Sequence, residues 1–212
     1  MNRVTFLVDG FNLYHSVVDA SRDLGGASTK WLDIHSFCKS YLANIGKDAK
    51  LERIYYFSAY AKHRQRSDPD VIIRHENYIK CLRATGINDI LGRFKQRDLS
   101  CPKCGQTIEK HEEKETDVAI ATKLLEACFL NECDTAVLVT GDTDILPAIK
   151  TALKHFPDKR VMCVFPYRRK NQELAQLVQG CFRVKADKYL NHQLPNPMPL
   201  PDGTHISKPT TW

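Results

Sequence analysis

The stretch Val4-Thr5-Phe6-Leu7-Val8-Asp9-Gly10 gives the strongest indication of the fold. Its β-branched and aromatic residues form an apolar run that is too short for a helix, and Asp9-Gly10 ends it, so the run predicts a buried strand. A second run, Thr135-Ala136-Val137-Leu138-Val139-Thr140, leads into Gly141-Asp142-Thr143-Asp144. Since neither run alternates apolar with polar residues, both predict strands of a parallel sheet that is covered on both faces.

Three carboxylates stand where these two strands end: Asp9, Asp142 and Asp144. Ligands of open parallel sheets bind outside the carboxyl ends of the strands, so we expect the three acids at one edge. A fourth, Asp117, follows Thr116 in the first turn of a predicted helix, where the helix dipole stabilises a carboxylate. Capping alone would explain Asp117, but the four acids together suggest a site for a divalent metal ion.

The remaining chain alternates strand-like and helical patterns, which predicts an α/β fold of three layers, with a central and mostly parallel sheet flanked by helices. The other predicted strands cover 53–59, 86–94 and 160–165, and predicted helices include 31–42, 68–84 and 116–129. With 212 residues, of which 42% are hydrophobic, the chain fits one domain at 1–190. The Pro-rich tail at 191–212 is expected to extend over the surface. It is either disordered or docked through Leu200, Ile206 and Trp212 on the body or on a second subunit of a homodimer, and docking is the favoured interpretation.

Composition argues against membrane and secreted proteins. No apolar stretch approaches the roughly 20 residues that cross a bilayer, and Met1-Asn2-Arg3 enters the first strand without a signal-peptide pattern. Several of the eight cysteines lie in apolar or helical runs, as reduced core thiols do: Cys38, Cys81, Cys128 and Cys163. We therefore expect a cytoplasmic protein.

Three segments, taken together and in order, resemble the signature blocks of the NYN family: 6–12, 113–118 and 139–144. NYN domains are PIN-like domains grouped with the LabA/DUF88 proteins. The resemblance covers about residues 3 to 186 and implies a PIN-like fold with a metal-dependent nuclease site that usually acts on RNA. It matches the acidic set to Asp9, Asp117, Asp142 and Asp144, and the polar residue after the first strand to Asn12.

The chemistry of phosphodiester hydrolysis agrees with this resemblance. The reaction needs an activated water and neutralised phosphate charge, which Mg²⁺ or Mn²⁺ supplies, and these hard cations select carboxylate oxygens. We expect Asp9 and Asp142 to bind the metal directly, and Asp117 and Asp144 to bind it through water or to orient the attacking water. Asn12 is expected to contact phosphate or to support the acids, and Thr140 and Thr143 are either hydrogen-bond donors to the carboxylates or simple turn residues. A haloacid-dehalogenase phosphatase needs a second Asp two residues after Asp9, where this chain has Phe11.

The motif Cys101-Pro102-Lys103-Cys104-Gly105 has the form of a zinc knuckle within a polar insertion around 98–112. His111 is a candidate third ligand, and the fourth is open among His63, His75, Cys81 and another chain. A structural zinc ion beside the active site is the favoured interpretation. Two free surface thiols are the alternative.

Lys and Arg exceed Asp and Glu, with a formal net charge of +6 and a pI near 8.8, which suits a polyanionic partner such as RNA as well as an ordinary solvated surface. Arg93, Lys95 and Arg97 alternate, so they share one face of an extended segment. The predicted substrate-binding residues are Arg93, Lys95, Arg97, Lys114, Arg168, Arg169 and Lys170.

The sequence therefore predicts a metal-dependent endoribonuclease that cleaves single-stranded RNA. An RNA-binding or regulatory module with little cleavage is the alternative from another class, and a structure-specific DNase shares the metal chemistry. A contact to the 2′-hydroxyl separates RNase from DNase activity, and the sequence does not locate one.

Overall fold

The computed structural model describes residues 1–100 and 104–212. Its main sheet has seven strands in the order β4-β3-β2-β1-β5-β6-β7, and every neighbouring pair is parallel except the antiparallel pair β3–β4. The strands are β1 (Asn2–Asp9), β2 (Ala49–Ala59), β3 (Asn88–Ser100), β4 (Thr107–Lys114), β5 (Thr135–Val139), β6 (Arg160–Phe165) and β7 (Cys181–Arg183). The predicted α/β fold with a mostly parallel central sheet is confirmed.

Helices cover both faces of this sheet. They are α1 (Gly10–Asp23), α2 (Ile34–Lys39), α3 (Leu42–Ile45), α4 (Val71–Ala84), α5 (Thr116–Phe129), α6 (Leu146–His155) and α7 (Gln172–Leu177). One hydrophobic core joins β1 and β2 to α1–α4, and a second joins the opposite face to α5–α7. No helix within the described ranges is both long enough and apolar enough to span a bilayer.

The central strand β1 shows why its sequence is apolar without interruption. Val4, Phe6 and Val8 lie in the core beneath α1–α4, whereas Leu7 lies in the core beneath α5–α7. Successive side chains of a strand point to opposite faces, and here both faces are buried. Because β1 pairs with β2 on one side and β5 on the other, its last residue, Asp9, stands in the middle of the edge where these strands end. We call this the carboxyl edge.

Two strands of the main sheet were not predicted. β7 has three residues, and β4 belongs to the segment around 98–112 that was interpreted as an insertion. In the structure β3 continues to Ser100 and pairs with β4, so most of this segment is a hairpin that extends the sheet. Both hairpin strands carry charged residues on both faces and are largely exposed, so no apolar periodicity marked them.

One predicted helix start is corrected. The helix expected from Asp68 begins at Val71 with Asp70 at the N-cap position, and Asp68 instead pairs with Arg74. The helix expected at Thr116 is present, but its N-cap is Glu115, whose φ of 80° lies in the left-handed region. Asp117 is in the first turn, as predicted.

The segment 191–212 packs on the body. Leu194 and Met198 are buried in the core of the α1–α4 face, and a short hairpin of β8 (Met198–Pro199) and β9 (His205–Ile206) follows. The ring of Trp212 lies 6.0 Å from that of Trp31 and 5.4 Å from that of Tyr78. Docking of Trp212 was expected. The division of the chain at residue 190 stays a prediction.

Candidate active site

Asp9 occupies the centre of the carboxyl edge and is only 6% exposed. It caps α1, since its Oδ1 accepts a hydrogen bond of 2.9 Å from the backbone N–H of Asn12, and its Oδ2 accepts one of 2.9 Å from the Thr140 hydroxyl. Burial raises the pKa of Asp9 to about 6, the two hydrogen bonds lower it, and the charges of Asp117 and Asp142 raise it further. The ionised form of this buried carboxylate is therefore held at some electrostatic cost.

A chain of hydrogen bonds joins the ends of β1 and β5. The Asn12 side-chain oxygen accepts from the backbone N–H of Gly141 at 3.1 Å, and the Thr140 hydroxyl accepts from that of Asp142 at 3.1 Å. The Asp142 carboxylate in turn accepts from the backbone N–H of Asp144 at 3.1 Å and caps the 3-10 turn at Thr143–Ile145. Asn12 and Thr140 thus fix the Asp142–Asp144 loop against the end of β1.

Asp117 approaches the same edge from α5. Its carboxylate is half-buried, and burial raises its pKa, as do the charges of Asp142, Glu113 and Asp144 in that order. The four predicted acids therefore lie near enough to repel one another. Glu113, which the sequence did not single out, adds a fifth carboxylate from the end of β4 and accepts hydrogen bonds from the backbone and hydroxyl of Thr116.

Two glycines allow the backbone to close at this edge. A Cβ on Gly10 would stand 2.5 Å from the carbonyl oxygen of Phe57 on β2, and a Cβ on Gly141 would stand 1.8 Å from that of Arg169. Any side chain at either position would displace the neighbouring backbone. Gly10 therefore lets α1 begin directly after Asp9, and Gly141 lets the loop after β6 lie against the acids.

The donor set fits a hard divalent cation in kind. Within residues 1–100 and 104–212, none of Asp9, Asp117, Asp142 and Asp144 forms an ion pair, so the clustered negative charge is unmatched. Among the described residues, no three or more His, Cys, Asp or Glu side chains lie close enough together to hold a metal ion. Metal binding at these acids requires side-chain rotation.

Basic residues gather on the β3–β4 hairpin. Residues directly opposite in an antiparallel pair share a face, and the opposite pairs here are Arg93 with Lys114, Lys95 with Glu112 and Arg97 with Lys110. This set, which we call the hairpin face, has five cations and one carboxylate. Lys110 and Lys114 hold the pKa of Glu112 near 2. The sequence predicted the shared face of Arg93, Lys95 and Arg97 but missed Lys110.

The predicted cations after β6 are engaged within the protein. Arg168 pairs with Asp23 at 3.0 Å, Arg169 pairs with Asp19 at 2.6 Å, and Lys170 donates to the Gln172 side chain at 3.0 Å. The backbone of Arg169 still lies against Gly141 at the carboxyl edge. These cations therefore stand beside the acids, but binding phosphate would compete with their present partners.

A groove of about 570 Å³ runs between the hairpin and the segment after β2. Its lining includes Lys62, Arg66, Arg93, Phe94, His63 and His111. The rings of His63 and His111 stack with centroids 4.4 Å apart. Burial lowers the pKa of His63, and His111 and Arg64 lower it further.

The zinc knuckle stays a prediction, because Cys101 lies outside the described residues. Cys104 is exposed in the turn before β4, and His111, the candidate third ligand, stacks on His63. Of the candidate fourth ligands, His63 is thus adjacent to His111. Cys81 is fully buried on α4, and His75 donates to or accepts from Ser58 at 3.4 Å.

Comparisons with known proteins agree with this architecture. A crystal structure of a protein of unknown function from Vibrio parahaemolyticus has 18% identity and a TM-score of 0.60 to this chain, covering 88% of this chain and 94% of that one, which shows the fold. A deacetylase of teicoplanin biosynthesis, solved with teicoplanin, has 11% identity and a TM-score of 0.35 over 74% of this chain and 68% of that one, and this likeness carries no argument. No curated protein matches.

The model of the NYN domain matches residues 3–183, a span that contains Asp9, Asn12, Asp117, Asp142 and Asp144. NYN domains are generally nucleases, so the match suggests a PIN-like nuclease whose substrate is a nucleic acid. The chain belongs to the NYN domain family.

Proposed function

We propose that this protein is a metal-dependent endoribonuclease that hydrolyses phosphodiester bonds of single-stranded RNA. The observation that carries the proposal is the set of acids at the carboxyl edge, Asp9, Asp117, Asp142 and Asp144. The charges of Asp117 and Asp142 act on Asp9, those of Asp142 and Asp144 act on Asp117, and no cation among the described residues pairs with the four acids. Repulsion between these acids does not stabilise the fold, whereas a divalent cation bound among them would relieve it.

The acids divide the work according to their surroundings. Asp9 and Asp142 would hold Mg²⁺ or Mn²⁺ directly. Asp9 ends the central strand β1, Asp142 lies in the loop after β5, and each carboxylate is fixed by a backbone N–H donor. Asp117 and Asp144 would orient the water that attacks the phosphate. When bound, the metal ion supplies an activated water and neutralises charge on the phosphate. Asn12 and Thr140 keep the two acidic loops in register.

The substrate strand would follow cations on one side of these acids. The hairpin face offers Arg93, Lys95, Arg97, Lys110 and Lys114. Phe94, on the opposite face of the hairpin, lines the groove, where an unpaired base can stack on it. Lys95 and Arg97 form no ion pair with any residue in the described ranges and are exposed. On the same face, Arg93 pairs with Glu115, and Lys110 and Lys114 pair with Glu112. We assign the cluster Arg168, Arg169 and Lys170 a secondary role, since all three of its cations have partners.

Cleavage assays with matched variants test the proposal. Single-stranded RNA and DNA of equal sequence are incubated with the purified protein in Mn²⁺, Mg²⁺ or EDTA, beside Asp9→Asn and Asp142→Asn. We expect RNA cleavage that needs the metal and falls at least about a hundredfold in both variants, as loss of a preorganised charge-stabilising group does. The control is Asp187→Asn, at an exposed acid in the 3-10 turn that follows β7, and it should retain activity.

Cleavage that survives both Asp9→Asn and Asp142→Asn would identify a contaminating enzyme and defeat the proposal. Cleavage of the DNA but not of the RNA in the same assay would favour a DNase over an endoribonuclease, and equal cleavage of both would show a nuclease that does not distinguish the sugar. These arms separate the two activities because the metal chemistry is shared and only the sugar differs.

One observation favours a second function, that of an RNA-binding module with little cleavage. Both oxygens of Asp9 already accept hydrogen bonds, and no three-ligand group is assembled among the described residues. RNA binding in EDTA, together with no cleavage in any metal, would support this function instead.

A further inference from the structure

A second cavity, of about 510 Å³, lies on the α1–α4 face. Buried core residues line part of it, among them Leu13 and Val17 of α1, Ile34 and Tyr78, so it reaches into the core. Its volume falls within the range of about 300–1,000 Å³ that is typical of ligand sites. Among the described residues that were predicted to bind metal or substrate, His75, a candidate fourth zinc ligand, is the one that lines this cavity.

Three cations converge on this cavity from separate elements: Lys30, Arg64 and Arg74. The pKa of Lys30 is lowered by burial, and further by the charges of Arg74 and Arg64. Asp68, which pairs with Arg74, is the one carboxylate among the lining residues that the structure describes. The cavity thus has more positive charge than its own residues neutralise, which suits an anion.

Uncharged polar groups line another part of the cavity. Ser58, at the end of β2, is 2% exposed, and its hydroxyl lies 3.4 Å from Nε2 of His75. Burial lowers the pKa of His75 to about 4, so the ring is neutral at pH 7 and offers both a donor and an acceptor. A neutral pair of this kind suits a sugar hydroxyl or the edge of a base better than a phosphate.

Aromatic side chains complete the lining. Tyr14 is 39% exposed on α1, and Phe11, Tyr56, Tyr78 and Trp212 also face the cavity. Aromatic faces beside cations recognise a planar base that carries a phosphate. A sugar phosphate or inorganic phosphate would leave these faces without a partner.

The cavity and the groove flank the same segment, 59–64. Residues 59–64 line both, with Ala61 and Arg64 on the cavity and Lys62 and His63 on the groove. Phe11 of the cavity contacts Phe94 of the groove edge to face at 5.5 Å. Phe11 is also two residues from Asp9, so a strand lying in the groove passes near both the acids and the cavity.

We propose that this cavity binds one nucleoside monophosphate unit, with its phosphate against Lys30, Arg64 and Arg74 and its base against the aromatic residues. The unit is either a free nucleotide or the phosphorylated end of an RNA strand. The site does not depend on the proposed cleavage, since it is lined by other residues and its occupancy is measured in EDTA.

The chain carries its own reporter for this test. Its two tryptophans are Trp31 and Trp212; Trp212 lines the cavity, and its ring packs against that of Trp31. Titration with 5′-UMP in EDTA should change tryptophan fluorescence, and calorimetry should give the same affinity. Uridine and inorganic phosphate, each of which lacks one half of the unit, should bind about tenfold or more weakly.

Variants locate the binding. Lys30→Met and Arg64→Met should each weaken 5′-UMP binding about tenfold or more, because each removes a charge-assisted contact to phosphate. Neither residue has an ion-pair partner in the described part of the chain, so both variants should fold, and two independent variants guard against misfolding of one. Lys150→Met, an exposed lysine on α6 at the other face of the sheet, should bind as the wild type does.

Competition distinguishes the two sources of the unit. A short RNA with a 5′-phosphate that displaces 5′-UMP, while its 5′-hydroxyl counterpart does not, identifies the end of a strand as the ligand. Binding of 5′-UMP without such displacement identifies a free nucleotide. The site is overturned if 5′-UMP does not bind, or if wild type, Lys30→Met and Arg64→Met bind it equally. The cleavage assay with Asp9→Asn tests the proposed nuclease activity independently of this result.

Discussion

The carboxyl edge and the β3–β4 hairpin both carry charge, but they hold it in opposite ways. At the edge, Asp9 is buried between two central strands, and its neighbours Asp117 and Asp142 raise its pKa. On the hairpin, residues 93–100 pair only with β4 in the described structure, beyond the end of β2, and the cations there are exposed. Like charges are therefore crowded in one region and spread in solvent in the other.

The difference separates two costs. A buried charge without a partner destabilises the fold, whereas exposed charges are screened and change stability little. The acids at the edge should therefore alter stability when they are removed, and the hairpin cations should alter binding instead. Three measurements test this contrast between the carboxyl edge and the hairpin.

Removal of the buried charge gives the largest expected change in stability. The pKa of Asp9 is about 6 in the fold and 3.8 in the unfolded chain, so the folded state holds its proton more tightly. Ionisation therefore penalises folding, with a cost that appears as pH rises above 3.8 and is complete above 6. In EDTA at pH 7 to 8, Asp9→Asn should raise the free energy of unfolding by up to about 3 kcal/mol, at about 1.4 kcal/mol per pH unit.

Urea unfolding from pH 4 to 8 measures this gain, which should fade towards pH 4, where the wild-type carboxyl is protonated in the fold. Asp187→Asn, whose side chain is exposed, should show no such difference at any pH. A gain for Asp9→Asn that is absent at pH 8 would contradict the burial argument. The same variant is expected to lose cleavage, so stability and activity should move in opposite directions.

The sequence predicted the carboxyl edge because burial leaves a signal. The runs 4–8 and 135–139 are apolar on both faces, and each ends in an acid, so the strands and the convergence of Asp9 with Asp142 followed from the pattern. Asp117 needed the family resemblance, because a first-turn carboxylate is common in helices. Glu113 was missed, since it lies in a charged strand that shows no such pattern.

Other features were beyond the reach of sequence patterns. The hairpin lies outside both cores for most of its length, so its strands need no apolar residues and resemble a polar loop. The nucleotide cavity is assembled from α1, the segment before α2, the end of β2, α4 and the tail. Lys30 and Arg74 are 44 positions apart, and only the folded chain brings them together.

Removal of hairpin charge should change binding while leaving stability nearly unchanged. Lys95→Gln with Arg97→Gln removes two exposed cations from the hairpin face, so the free energy of unfolding should change by less than about 0.5 kcal/mol. If both cations contact phosphate, the slope of log affinity against log salt for single-stranded RNA should become shallower by about 1.4. Binding in EDTA at several salt concentrations gives this slope without cleavage.

The matched control is Lys150→Gln with Lys154→Gln, which removes the same charge from exposed positions on α6. Net charge falls equally in both double variants, so a general electrostatic effect would flatten both slopes alike. Equal slopes would therefore remove the hairpin face from the RNA-binding surface and leave the groove and the nucleotide cavity as its candidates.

The smallest expected effect on the fold belongs to the zinc knuckle at the turn of the hairpin. We expect about one equivalent of zinc in the purified protein and its loss in Cys101→Ser and Cys104→Ser, because a zinc ion held by thiolates leaves with its ligands. Cys181→Ser, at another exposed cysteine, should keep the metal. Elemental analysis measures all four proteins, and a wild type without zinc would end the prediction.

Since the outer hairpin pairs only with itself among the described residues, zinc loss should weaken RNA binding more than it lowers the unfolding midpoint. A large drop in that midpoint would show that the hairpin and the carboxyl edge unfold together, and the contrast between them would then fail.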